Sequence, residues 1–169
     1  DGPDFIAITV PTNVDAGAGN DTVTWTGNHD DKIDGGAGDD TMEGGGGNDH
    51  YYVDSTADVV IEAQNAGIDT VISIVDYTLG QNVENLTLAS QALIGIGNEF
   101  GNRIVGNGAI NTLFGLDGND TLYGGSGDDV LIGGEGSDTY SWVRGEGNDT
   151  IIDAQPAGSS GCRIFSTTK

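Results

Sequence analysis

Ten nine-residue segments of this chain carry one pattern, and a chain that repeats at so short a period folds as a stack of like units, not around a single central core. In the first block, AGAGNDTVT (16–24) and TGNHDDKID (26–34), separated by Trp25, precede GGAGDDTME (35–43) and GGGGNDHYY (44–52). In the second, GNEFGNRIV (97–105) and GNGAINTLF (106–114) lead into GLDGNDTLY (115–123), GGSGDDVLI (124–132) and GGEGSDTYS (133–141). RGEGNDTII (144–152) follows after two extra residues. The sixth position holds Asp21, Asp31, Asp40, Asp49, Asn102, Asn111, Asp120, Asp129, Asp138 and Asp149. The eighth holds Val23, Ile33, Met42, Tyr51, Ile104, Leu113, Leu122, Leu131, Tyr140 and Ile151, all able to pack an apolar side chain inward.

This spacing predicts a half-coil per repeat. Glycines at positions one, two and four allow positive φ and close backbone approach in a tight turn. The last three residues form a short strand whose middle side chain enters the core. Two repeats close an 18-residue coil, and successive coils pair as parallel strands in two short sheets facing each other. One nonapeptide buries too little to stand alone, so stacking is obligatory.

The pattern G-G-x-G-x-D-x-U-x, with U apolar, resembles the RTX (repeats-in-toxin, hemolysin-type calcium-binding) nonapeptide family of secreted bacterial proteins over residues 16–52 and 97–152. The resemblance implies an all-β, right-handed parallel β-roll, a β-helix-like solenoid, with two calcium-binding blocks joined by a metal-free β segment. It carries calcium ligation onto Asp21, Asp31, Asp40, Asp49, Asp120, Asp129, Asp138 and Asp149. Turn carbonyls complete the oxygen set, at the glycine turns of Gly17, Gly19, Gly35, Gly38, Gly44, Gly47, Gly118, Gly124, Gly127, Gly133 and Gly136. Repeats n and n+2 fall on the same side of the coil. Asp21 is therefore expected to stack on Asp40, Asp31 on Asp49, Asp120 on Asp138, and Asp129 on Asp149. Such a set suits about four to five Ca²⁺ ions, because oxygen donors favour a hard cation and no His/Cys cluster competes. Asn102 and Asn111 bring oxygen without charge and are expected to run as a neutral column through calcium-free coils. His29 replaces glycine at position four of its repeat.

Residues 53–96 lack glycine turns but keep strand signals: VVIE (59–62), TVISI (70–74), YTL (77–79), ENLTL (84–88) and ALIGI (92–96). They read as a metal-free continuation of one solenoid over 1–169, with a separate small β-domain as the alternative. FIAITV (5–10) reads as a capping strand, and 153–169 as a tail of loop composition. The start at Asp1, without Met or a signal-like apolar stretch, reads as a piece of a longer protein.

Charge narrows the partners. Twenty-seven acidic residues against five basic ones give a formal net charge of -22. That disfavours nucleic acid and anionic membranes and invites cations. No run of about 18 apolar residues exists to insert into a membrane. A lone Cys162 excludes an internal disulfide framework, leaving metal as the staple.

His50, Asp54 and Ser55 lie close in sequence, but His50 occupies an outward repeat position, so no catalytic role is expected of it or of His29. The paired acids Asp39-Asp40 and Asp128-Asp129 are explained by the repeat, the second binding metal and the first facing solvent. Trp25 and Trp142 are expected in core or cap packing, with sugar stacking as the alternative, and Tyr51 and Tyr140 in the core. The expected function is a secreted, extracellular calcium-binding module that folds on calcium after export and is not itself an enzyme. Any catalytic or adhesive domain would lie outside this chain. A polysaccharide-binding or adhesive module is the alternative. Only Lys32, Arg103, Arg144, Arg163 and Lys169 are basic, too scattered to hold an anionic glycan. Ice binding is disfavoured, because position three lacks a regular threonine row.

Overall fold

The computed structural model describes residues 2–8, 13–153 and 163–167. In chain order the strands are β1 (Phe5–Ile8), β2 (Asn13–Asp15), β3 (Thr22–Trp25), β4 (Lys32–Asp34), β5 (Thr41–Glu43), β6 (His50–Val53), β7 (Val59–Ile61), β8 (Thr70–Ser73), β9 (Tyr77–Thr78), β10 (Asn85–Leu88), β11 (Ile94–Ile96), β12 (Arg103–Val105), β13 (Thr112–Asp117), β14 (Thr121–Tyr123), β15 (Val130–Glu135), β16 (Thr139–Val143), β17 (Thr150–Ile152) and β18 (Arg163–Thr167). Among the described residues there is no helix.

Every strand pair is parallel and links alternate strands, as a two-strand coil requires. Even-numbered strands from β2 to β18 form one nine-stranded sheet. The opposite face is split into a four-stranded sheet, β1-β3-β5-β7, and a five-stranded one, β17-β15-β13-β11-β9. The simple pair of facing sheets is thus interrupted on one side, between β7 and β9. Coil length changes at this point. Asp49 and Asp69 occupy equivalent places 20 residues apart, whereas repeats step by 18. The next step, from Thr70 to Asn85, is short. β8 and β10 keep their place in the nine-stranded sheet, while the return strand is displaced. All five strand signals in 53–96 form strands.

The core is a stack of position-eight side chains in register. Ile33, Tyr51, Val71, Leu86, Ile104, Leu122 and Tyr140 follow one another along the long sheet. Val23, Met42 and Val60 do so on one facing sheet, and Leu113 and Leu131 on the other. All are buried. The strands are only a few residues long, so this row supplies most of the apolar burial and neighbouring coils stabilise one another.

At the ends, Phe5–Ile8 pairs with β3 as a capping strand. The tail departs from its loop-like reading, because Arg163–Thr167 pairs with β16 and extends the long sheet by one strand. Residues 9–10 of the expected cap, and Cys162 with the loop-like 154–161, lie outside the described residues.

Candidate metal centre

The turn glycines have two separate tasks. Except for Gly27, those at positions two and four take positive φ, as at Gly36 (81°) and Gly136 (138°), where a side chain would be strained and would overlap the carbonyl of the turn below. Position-one glycines do not take positive φ. At Gly35, Gly44, Gly124 and Gly133 an added Cβ would overlap the position-six carboxylate of the same repeat. The absent side chain is the space that the carboxylate occupies. Leu116 stands at position two with φ of 79°, so a non-glycine residue is tolerated there once. His29 is exposed.

The position-six carboxylates form columns along the stack, and one oxygen of each is fixed. Oδ1 of Asp40 accepts the amide of Asp21 at 2.7 Å, and that of Asp49 the amide of Asp31 at 2.8 Å. In the second block, Oδ1 of Asp138 accepts from Asp120 at 3.0 Å and that of Asp149 from Asp129 at 3.1 Å. The structure thus brings together all four pairs expected to stack. The other oxygen differs. Oδ2 of Asp21, Asp40, Asp49, Asp120, Asp129 and Asp138 is buried and meets no hydrogen-bond donor.

The two asparagines in the same columns show what is missing. Oδ1 of Asn102 accepts the amide of Asn98 at 2.7 Å, and its Nδ2 donates to the carbonyls of Val83 and Glu84 at 3.1 and 3.3 Å. Asn111 does the same with Asn107, Ala92 and Leu93. An asparagine brings its own donors. An aspartate brings an anionic oxygen whose burial is unfavourable unless a cation or proton meets it.

The electrostatics agree. Burial pushes the carboxyl of Asp120 up to about 7 and that of Asp49 to about 6. The accepted backbone amides oppose the shift and neighbouring acids reinforce it. Asp40, Asp129 and Asp138 are raised chiefly by the same burial. A set of oxygens from carboxylates and turn carbonyls, short of positive charge, fits a hard divalent cation.

Several members of the columns escape a nonapeptide reading. Asp58 Oδ1 accepts the amide of Asp40 at 3.0 Å, and Asp69 Oδ1 that of Asp49 at 2.8 Å. Glu84 Oε2 accepts from Asp69 at 2.8 Å, and Asp21 Oδ1 from Asp4 at 2.6 Å. The segment expected to be metal-free therefore carries column carboxylates of its own. The available signal was an acid two residues before an inward apolar residue, as in Asp58–Val60, Asp69–Val71 and Glu84–Leu86. Position five also has a structural task. Asn20, Asp30, Asn119 and Asp128 accept the position-five amide of the next coil at 2.7–3.1 Å, so these exposed side chains brace the turns in the opposite chain direction.

Other singled-out residues fall into packing roles. Trp25 is buried, 1% exposed, with its ring edge-on to His29, and has no face for a sugar; Trp142 is half-buried. Tyr51 and Tyr140 are fully buried. Ser55 Oγ donates to Asp39 at 3.0 Å and belongs to the turn surface.

Residues 25–60 and 105–140 match the family described as RTX calcium-binding nonapeptide repeat (4 copies). The chain is also similar to the endo-1,3-1,4-beta-glycanase ExsH of Rhizobium meliloti (strain 1021), at 40% identity over 58 residues. That alignment takes in 34% of this chain and spans 12% of the glycanase's length. No solved structure matches the chain.

Proposed function

We propose that this chain, which carries RTX calcium-binding nonapeptide repeats, is a calcium-triggered folding module of a secreted bacterial protein. The observation that carries this reading is the set of buried aspartates Asp21, Asp40, Asp49, Asp120, Asp129 and Asp138, each with one oxygen bonded to a neighbouring coil and the other without a donor. Without cations these carboxylates repel one another across the turns, and ordering the turns opposes itself. With calcium, Asp21, Asp40, Asp49, Asp120, Asp129, Asp138 and Asp149, with Asp31 in the same column as Asp49, hold the ions, and folding and binding become one event. Extracellular modules bind calcium at about 10⁻⁴–10⁻³ M, so the sites would stay empty in a cytosol and fill outside the cell. Four sites at roughly ten times their Kd contribute about 5–6 kcal/mol by linkage, comparable with the stability of a whole domain. The chain itself is read as non-catalytic. Calorimetric titration of chelator-stripped protein tests the reading. Saturable binding of about four to five ions in that affinity range is expected. Failure to bind calcium at millimolar concentration would overturn it.

The similarity to a glycanase favours a second reading, that the module is attached to an extracellular carbohydrate-active enzyme or adhesin, or itself holds polysaccharide. Burial of Trp25 and the scarcity of basic residues weigh against direct glycan binding. Titrating alginate and a neutral glucan into calcium-loaded protein separates the two. The folding module should ignore both, and saturable micromolar binding to either would favour the glycan-binding reading.

A further inference from the structure

The first repeat block ends with a side chain that the repeats exclude. Glu43 pairs with Ile61, so Glu62 stands one coil beyond Gly44, in a position-one column. At Gly44 a Cβ would overlap both the Tyr51 hydroxyl and Asp49 Oδ2. One coil later a glutamate enters that interior space. It is 7% exposed, and its Oε1 accepts the Tyr51 hydroxyl. The turn that begins at Glu62 and ends at Asp69 is the lengthened one that sets the 20-residue step from Asp49.

Three buried carboxylates meet there. One oxygen from each of Asp49, Glu62 and Asp69 lies within 4.8 Å of the others. Asp49 and Asp69 are fully buried. Oδ2 of each, and Oε2 of Glu62, are buried and meet no hydrogen-bond donor. Three acids in one buried space are strongly unfavourable as anions unless protons or a cation neutralise them. All-oxygen donors within reach of one ion at Ca–O distances of about 2.3–2.6 Å suit calcium.

We propose that Asp49, Glu62 and Asp69 form a buried calcium site that closes the first block, with Glu62 as a ligand outside the repeat pattern and the Tyr51 hydroxyl positioning its carboxylate. The proposal rests on the calcium-module reading but adds an ion that the repeats do not provide for. It gives the intermediate segment a tie of its own to the first block, since Glu62 and Asp69 belong to that segment and Asp49 to the last repeat. The second block repeats part of the arrangement. Ile132 pairs with Ile152, which puts Asp153 one coil beyond Gly133, where a Cβ would overlap the Tyr140 hydroxyl.

Glu62→Gln keeps the volume and an acceptor for Tyr51 while removing the charge. Calcium stoichiometry by equilibrium dialysis should fall by one ion per chain relative to the parent, with the remaining ions retained. An unchanged stoichiometry would overturn the site. Should Glu62→Gln not fold, Tyr51→Phe, which leaves all three carboxylates in place, carries the test with terbium(III) as the probe. Tyrosine-sensitised terbium emission should drop in Tyr51→Phe, and unchanged emission overturns the site. A parent that binds no calcium fails the module reading and this site together. A parent that binds calcium while Glu62→Gln binds as many ions fails this site alone.

Discussion

The carboxylate of Asp138 and the backbone amide of Asp120 lie one coil apart, joined by a 3.0 Å hydrogen bond. Asp120 in turn accepts the amide of Asn102 at 2.7 Å. The column thus passes without a break from residues that need a cation to one that does not, and the change is a single side-chain NH₂. Replacing Asp129 by alanine should remove one ion and weaken its neighbour, whereas Asn102→Ala should leave stoichiometry unchanged. Asp129→Asn should also lose the ion but should tolerate chelator better than the alanine variant, because it imitates Asn111. Calorimetric titration of the three variants checks this, and equal ion loss in Asn102→Ala and Asp129→Ala would contradict the assignment.

Glycine substitutions separate backbone strain from mere loss of flexibility. Gly136 has φ of 138° and faces the Gly118 carbonyl of the turn below, whereas a Cβ at Gly108 would meet nothing within 4 Å. Gly136→Ala should destabilise the calcium-loaded protein by about 3 kcal/mol or more. Gly108→Ala should stay within roughly 0.5 kcal/mol of the parent. Denaturant titration in saturating calcium measures both.

Acid should partly replace calcium in folding. In the metal-free fold, burial raises Asp49 and Asp69 to about 6, Asp120 to about 7 and Glu62 to about 8. The folded chain therefore binds protons more tightly than the unfolded one. The stability these groups contribute is fully present below their ordinary carboxyl range and is lost as pH rises through about 6–8. In chelator, the β-sheet signal at pH 5 should exceed that at pH 8. Calcium affinity should fall over the same range on acidification, as protons compete for the carboxylates. A metal-free chain that gains structure on going from pH 5 to pH 8 would contradict the electrostatics.

The repeat made the coil, its 18-residue step and the stacked pairs legible, because each followed from counting between Asp31 and Asp49 or Asp120 and Asp138. The broken face was not legible. It coincides with a lengthened turn at 62–69 and a short step from Thr70 to Asn85, each holding one glycine, Gly67 or Gly80, in place of the repeat's set. Asp58, Asp69 and Glu84 were missed because their turns lack the full glycine set that flags a repeat: that of Asp58 has none, that of Asp69 only Gly67 and that of Glu84 only Gly80, yet the acid keeps its place before an inward Val or Leu. Glu62 was beyond reach of any pattern, since its partners Asp49 and Tyr51 meet it only through the register of β5 and β7. The division between left-handed glycines at positions two and four and space-making glycines at position one also required coordinates.

Far-UV circular dichroism of the chain, first in chelator at neutral pH and then in millimolar calcium, tests calcium-triggered folding most directly. Mostly coil in chelator, converting to β-sheet as calcium is added, is the predicted result. An equal β-sheet signal in both conditions would contradict it.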